Sequence, residues 1–261
     1  MKKFDLQLNI RSTIKPIGFI YGDDCFGPVV EYRKLDDIRQ SLMDQNCNGP
    51  ETVYAIAMDV GKKAHFNLLK ELHLLYGVVT YAQGSLGKEP IRSQGHVHRR
   101  SVYGRNWSTP EVYQIWSGKA VIYMQEFAGD NPGRCFAVYA EPGDVVIVPP
   151  AWGHATISAD AKTPLTFGAW CDLDYGNEYE KVRAHNGLAW YPLIGNNNKL
   201  NWYANPFYKK SKLIEKTPND YDMLGIKQQQ SIYAQFEKEP ELFLFVPKPF
   251  IREKVWERFI P

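Results

Sequence analysis

Gly95-His96-Val97-His98, Pro110-Glu111-Val112-Tyr113 and Pro149-Pro150-Ala151-Trp152-Gly153-His154 offer three imidazoles and one carboxylate from three short segments. On a β-strand, the i, i+2 spacing of His96 and His98 points both rings to one face, where two nitrogens reach the same cation. Glu111 and His154, brought in from separate strands, complete a set suited to Fe, Mn, Ni or Zn that leaves positions open for substrate oxygens. A His-x-His pair alone also arises by chance on surfaces, so the setting carries the weight. Gly95 permits a tight turn before the pair. Tyr139 to Pro150 reads as strand, Pro142-Gly143 turn, apolar strand and a rigid Pro-Pro exit that delivers His154.

The elements that must position these groups are mostly strands. From about Gly77 to Trp170 the chain runs in short stretches rich in Val, Ile, Tyr, Phe and Thr. They are broken at Gly84-Ser85, Ser117-Gly118, Asn131-Pro132-Gly133 and Pro142-Gly143, the signature of an antiparallel β-barrel or sandwich. A jelly-roll suits this spacing, because its mouth collects side chains from several strands. Two helical stretches are expected before it, around Lys34 to Gln45 and Ala64 to Tyr76, the second carrying Phe66, Leu69, Leu72 and Leu75 at helical spacing. The last seventy or so residues, with the run Asn196-Asn197-Asn198 and the aromatic stretch Leu242 to Pro247, read as an irregular extension. The expected division is 1–50 as an N-terminal decoration, 51–185 as the barrel with the metal site, and 186–261 as an extension packed on the barrel or on a partner subunit.

With 261 residues, 44% hydrophobic and 23% charged, the chain can bury one substantial core. A net charge of +2 without a long basic run argues against nucleic acid or an anionic membrane as partner. The start Met1-Lys2-Lys3-Phe4-Asp5 does not lead into an apolar stretch of signal-peptide length, and no run approaches the roughly 18 apolar residues of a membrane span. A cytoplasmic protein is expected. Cys25, Cys47, Cys135 and Cys171 are too scattered for a disulfide framework and read as reduced packing residues.

The ordered motifs resemble those of the cupin-type, or archaeal-type, glucose-6-phosphate isomerases. They are Ser93-Gln94-Gly95-His96-Val97-His98, Glu111-Val112-Tyr113, Gly118, Met124-Gln125, Pro142-Gly143, Val148-Pro149-Pro150, Trp152 and His154, within Thr52 to Tyr179. The resemblance implies an all-β cupin jelly-roll barrel with helical and irregular N- and C-terminal extensions. It implies one divalent metal per subunit, iron foremost with Mn, Ni or Zn as alternatives, on His96, His98, Glu111 and His154. It further implies a sugar phosphate as substrate, held by Thr80, Ser93, Gly95 and Tyr179 at the phosphate and by Tyr54 and Tyr113 along the sugar, and a homodimer. The chain departs from the pattern at Gly118-Lys119-Ala120, at Ala151 and at Asn177, where the family has a histidine. The stretch from Arg99 to Trp107 is also longer than usual and is expected to be a loop over the site.

In the reaction so implied, an aldose and a ketose phosphate interconvert while the metal chelates O1 and O2, with Glu111 as the candidate base. Proton transfer and hydride shift both remain open. Lys88 and Arg92 could add charge for the phosphate, though a solvated hairpin edge is the favoured reading of both. A metal-dependent oxygenase or decarboxylase, and a non-catalytic sugar-phosphate-binding cupin, stand as alternatives.

Overall fold

A computed structural model describes residues 4–196 and 199–261. Met1-Lys2-Lys3 at the start of the chain and Asn197-Asn198 of the asparagine run lie outside the described residues. The strands that build the core are β1 Glu31–Lys34, β2 Thr52–Met58, β3 Leu74–Tyr81, β4 Val97–His98, β5 Glu111–Ser117, β6 Ala120–Gln125, β7 Cys135–Ala140, β8 Val145–Val148, β9 Gly153–Ser158, β10 Thr166–Asp172 and β11 Leu213–Lys216. A six-stranded sheet runs in the order β8-β5-β10-β3-β2-β1 and faces a four-stranded sheet in the order β9-β6-β7-β11. Pairing is antiparallel throughout, except that β11 lies parallel to β7.

Strand alternation divides the apolar residues among three layers. In β6, Ala120, Ile122 and Met124 point between the sheets, while Val121 and Tyr123 point outward. Neither face meets water, which is why β6 reads as an unbroken apolar run instead of an alternating one. The outward face of the six-stranded sheet, with Tyr76, Val78, Val112 and Trp170, is covered by the carboxy-terminal segment through Tyr233, Phe236, Phe243 and Phe245. Trp170 stacks on Tyr233 with centroids 5.5 Å apart. Burying side chains of this size contributes roughly 1.5–3 kcal/mol each. The outward face of the four-stranded sheet is covered by Val182, Leu188 and Tyr208.

The aromatic stretch near the end therefore packs on the barrel of its own chain. Its helix, Ile232–Lys238, is capped by Ser231, whose hydroxyl accepts a hydrogen bond from the Ala234 amide at 3.2 Å. β1 and β11, from the segments expected to decorate the barrel, each extend one of its sheets.

Three expectations need correction. The helix expected over Lys34 to Gln45 is one α-helical turn, Leu35–Ile38, followed by a 3₁₀ turn, Arg39–Ser41. The helix expected over Ala64 to Tyr76 is confined to Phe66–Glu71. His73 then takes a positive φ of 58°, and Leu74 to Tyr81 pairs with both β10 and β2, so sheet hydrogen bonding overrides the helical spacing of Leu75. The segment after His98 is a small hairpin, Arg100–Ser101 against Trp107–Ser108, docked on the carboxy-terminal segment. Arg105 lies over the Phe250 ring at 4.2 Å from its centroid, which anchors the hairpin tip away from the site. Among the described residues, no helix is long and apolar enough to cross a membrane.

Candidate metal centre and substrate pocket

His96 and His154 meet across a two-way backbone bridge. The His96 amide donates to the His154 carbonyl at 3.0 Å, and the His154 amide to the His96 carbonyl at 2.9 Å. Gly95 sets up the approach with φ +89°, and a Cβ there would lie 2.7 Å from the Leu188 side chain. His98 ends the short β4, which pairs with Asn177–Glu178. Glu111 opens β5 opposite Val148, the residue preceding the Pro-Pro exit. One ligand atom from each of His96, His98, Glu111 and His154 lies within 4.8 Å of the others.

The outer nitrogens of two rings are already occupied. His98 Nδ1 donates to the Thr109 carbonyl at 2.8 Å and His154 Nδ1 to the Trp152 carbonyl at 3.1 Å, which turns each Nε2 inward as a lone-pair donor. His98 Nε2 lies 3.1 Å from Glu111 Oε2, and His154 Nε2 lies 3.5 Å from the same oxygen. Among the described residues, the buried His154 Nε2 has no hydrogen-bond partner. A buried nitrogen left without a partner, facing two more imidazoles and a carboxylate, fits a cation that accepts all four donors.

Electrostatics supports the same reading. Burial, reinforced by the His154 and His98 rings, holds His96 well below the ordinary histidine range. His154 is also lowered, mainly by burial. Burial pulls His98 down, but its hydrogen bond to Glu111 and that carboxylate's charge outweigh it and leave His98 raised. Burial opposes ionisation of Glu111, yet the neighbouring His154 and His98 imidazoles hold its carboxyl well below the usual range. Tyr113 donates to Glu111 Oε2 at 2.6 Å, and the Cys171 thiol approaches Oε1 at 3.4 Å.

His96, His98 and Glu111 of the cluster line a pocket that also includes Tyr54, Ser93, Tyr113 and Tyr179, all named from the sequence. Gly95, expected to offer its backbone to the phosphate, is not among the lining residues and directly precedes His96. Thr80 is a correction: strand alternation sends Val79 and Tyr81 into the pocket and Thr80 to the other face, where its hydroxyl pairs with that of Thr166 at 2.9 Å. Arg92 is also corrected, being buried, paired with Glu89 at 2.6 Å and donating to the Ser93 and Ser41 carbonyls. Lys88 is exposed on the hairpin of Ser85–Leu86 and Glu89–Pro90. Ala151 is an exposed turn residue with φ +66°, so this departure does not line the pocket. Asn177 does line it, and its amide donates to the Tyr179 hydroxyl at 3.0 Å. Sequence reasoning missed Arg33, Tyr81, Gln94 and Tyr175. Arg33 lies in a segment that no local motif connects to the histidines. Gln94 sat inside a quoted motif, and its position beside Gly95 was the available signal.

A two-sheet barrel with an inward-facing cluster of three histidines and a glutamate has the architecture of a cupin with a candidate metal site. A family profile described as Glucose-6-phosphate isomerase (GPI) matches residues 36–209, and the chain belongs to that family. The glucose-6-phosphate isomerase of Pyrococcus furiosus is 30% identical over 141 residues, covering 54% of this chain and 68% of the relative. That of Thermococcus litoralis is 29% identical over 183 residues, covering 68% and 86%. Among solved structures, oxalate decarboxylase from Bacillus subtilis aligns with a TM-score of 0.35 at 23% identity, over 48% of this chain and 27% of that one.

Proposed function

We propose that this chain is a metal-dependent isomerase that interconverts glucose 6-phosphate and fructose 6-phosphate. The observation that carries the proposal is the convergence of His96, His98, Glu111 and His154 around the unpartnered His154 Nε2, within the segment that matches the family. A divalent cation held there, iron foremost with Mn, Ni or Zn as alternatives, supplies an electrophile for the oxygens on C1 and C2 of the open-chain sugar.

The chain's own groups do the rest. Ser93 accepts a hydrogen bond from the Thr156 amide at 3.1 Å, leaving its hydroxyl hydrogen free to donate to substrate. The Gln94 side-chain oxygen accepts from Arg183 at 3.0 Å, which turns its NH₂ group toward donation. Tyr54 and Tyr179 flank the sugar, and burial pushes the Tyr54 phenol up, so it stays a hydrogen-bond donor. Glu111 is anionic at neutral pH, the form required of a base, and the Tyr113 hydroxyl is placed to steady it as charge moves. The apolar side of the pocket, with Ile56, Val79 and Phe167, limits water at the reacting carbons.

The test couples fructose 6-phosphate to NADP reduction through glucose-6-phosphate dehydrogenase, before and after chelation and with each of the four metals restored. Steady NADPH formation that chelator abolishes and one metal restores is expected. Unchanged fructose 6-phosphate under every metal removes the proposal; oxygen uptake instead points to an oxygenase. Hydrogen exchange with deuterated water at C1 or C2 separates proton transfer from hydride shift. The family reading also carries a homodimer, and a monomer mass by light scattering counts against it.

A further inference from the structure

The pocket has a single fixed positive charge apart from its histidines. Among the described residues lining it, Arg33 is the one arginine or lysine. It comes from β1, three residues before the family match begins at residue 36. β1 reaches the site because it adds an edge strand to the six-stranded sheet, with Arg33 in register with Tyr54. Tyr54 lines the pocket, and residues opposite each other in an antiparallel pair share a face, so this register delivers the guanidinium to the same mouth. Tyr175 and Tyr179 border that mouth as well.

Arg33 is built to be available. Its side chain is 32% exposed, and its ion-pair partner is Glu31 at 3.4 Å, a residue 58% exposed on the same strand. A long contact to a solvated carboxylate two residues away is weak, and a dianion entering the pocket displaces it at little cost. The planar fork of a guanidinium matches two oxygens of a phosphate, and neighbouring phenol hydroxyls supply further donors. Each of the other candidate cations is engaged elsewhere or stands off the pocket: Arg92 is buried on Glu89, and Arg183 holds Gln94 and stacks on Tyr179.

The geometry points to Arg33 as the residue by which this chain selects a phosphorylated over an uncharged sugar, with Glu31 as its resting partner. This rests on the isomerase reading for the identity of the sugar, but not for the anion. β1 is then a specificity element that lies ahead of the matched segment.

The experiment measures binding by intrinsic fluorescence, in the metal-loaded full chain, with three probes: inorganic phosphate, fructose 6-phosphate and fructose. Arg33→Met is expected to bind both anions about tenfold more weakly, with fructose unchanged and metal content retained. Arg33→Lys is expected to recover part of the loss, and Glu31→Gln to bind the anions more tightly than the parent chain. Equal phosphate affinity in Arg33→Met and the parent overturns the assignment, as does a parent chain that binds no phosphate. An Arg33→Met chain that loses fructose and both anions alike also overturns it, because the arginine is then holding β1 in place and not reading charge. If the parent binds phosphate through Arg33 yet never converts fructose 6-phosphate, the anion site stands and the isomerase reading falls.

Discussion

The Tyr113 hydroxyl donates a 2.6 Å hydrogen bond to Oε2 of Glu111, the oxygen that also lies nearest His98 and His154. Burial and the adjacent Glu111 charge push the phenol well above its ordinary range, so it remains a donor at every working pH. Tyr113 thus limits the rotation of the carboxylate and spreads its charge.

Tyr113→Phe removes that donor and leaves the ring's packing intact. A hydrogen bond to a charged group contributes roughly 1.5–3 kcal/mol. Turnover of fructose 6-phosphate is expected to fall by about tenfold or more while metal content, read by elemental analysis, stays near one per chain. A variant with parental kcat shows that Glu111 needs no such restraint.

His154→Ala deletes the buried nitrogen that has no other partner among the described residues. Metal content and turnover are expected to vanish together, since a three-donor remnant with a void beside it binds a cation far more weakly. The same loss should follow dialysis of the parent chain against chelator, reversibly. A His154→Ala chain that still holds its metal after gel filtration would show that the four groups do not share one ion.

Acid should release the metal, and the direction follows from the individual shifts. His96 and His154 are lowered in the fold, so below their ordinary value of 6.5 the unfolded chain takes up protons that the folded one refuses, and stability falls with acidification. His98 acts oppositely: its raised value adds stability that is complete below 6.5 and is lost as pH rises through that raised value. Glu111, held low, adds stability above its ordinary value of 4.5 that is lost as pH falls through its lowered one. Below 6.5 the His98 contribution is already complete, so the two lowered imidazoles set the slope and metal-free protein melts earlier as pH drops. Metal binding demands all three rings neutral, and it must expel the proton from His98 first. Metal affinity, followed by chelator competition from about pH 8 down to about pH 5, should therefore weaken steadily. Activity that persists undiminished to about pH 4 contradicts this.

Thr80 and Ser93 distinguish a hydroxyl behind the pocket wall from one that lines the pocket. Thr80→Val breaks a hydroxyl pair behind the pocket and should cost about 1 kcal/mol of stability with KM unchanged. Ser93→Ala removes a pocket hydroxyl and should raise KM several-fold with little change in kcat. A KM increase in Thr80→Val would place its hydroxyl on the substrate side after all.

The sequence alone determined the candidate ligand set and the kind of scaffold. His96 and His98 needed only local strand geometry to share a face, and the turns at Gly95, Pro142-Gly143 and Pro149-Pro150 are written in glycines, which accept positive φ, and prolines, whose φ is fixed. Tertiary structure decided what depends on partners far along the chain. The parity that turns Val79 and Tyr81 inward and Thr80 outward was invisible because both faces of β3 are covered, so no alternation marks them. The helical spacing through Leu75 yielded to pairing with a strand some ninety residues later. Arg33 enters the pocket only because β1 finds β2 across an intervening helical turn, and the late aromatic stretch becomes ordered core only where Trp170 and Tyr76 present a face to cover. Side-chain chemistry is local and can be read in order along a chain; which side chains meet is set by long-range pairing and by burial on both sides of a sheet.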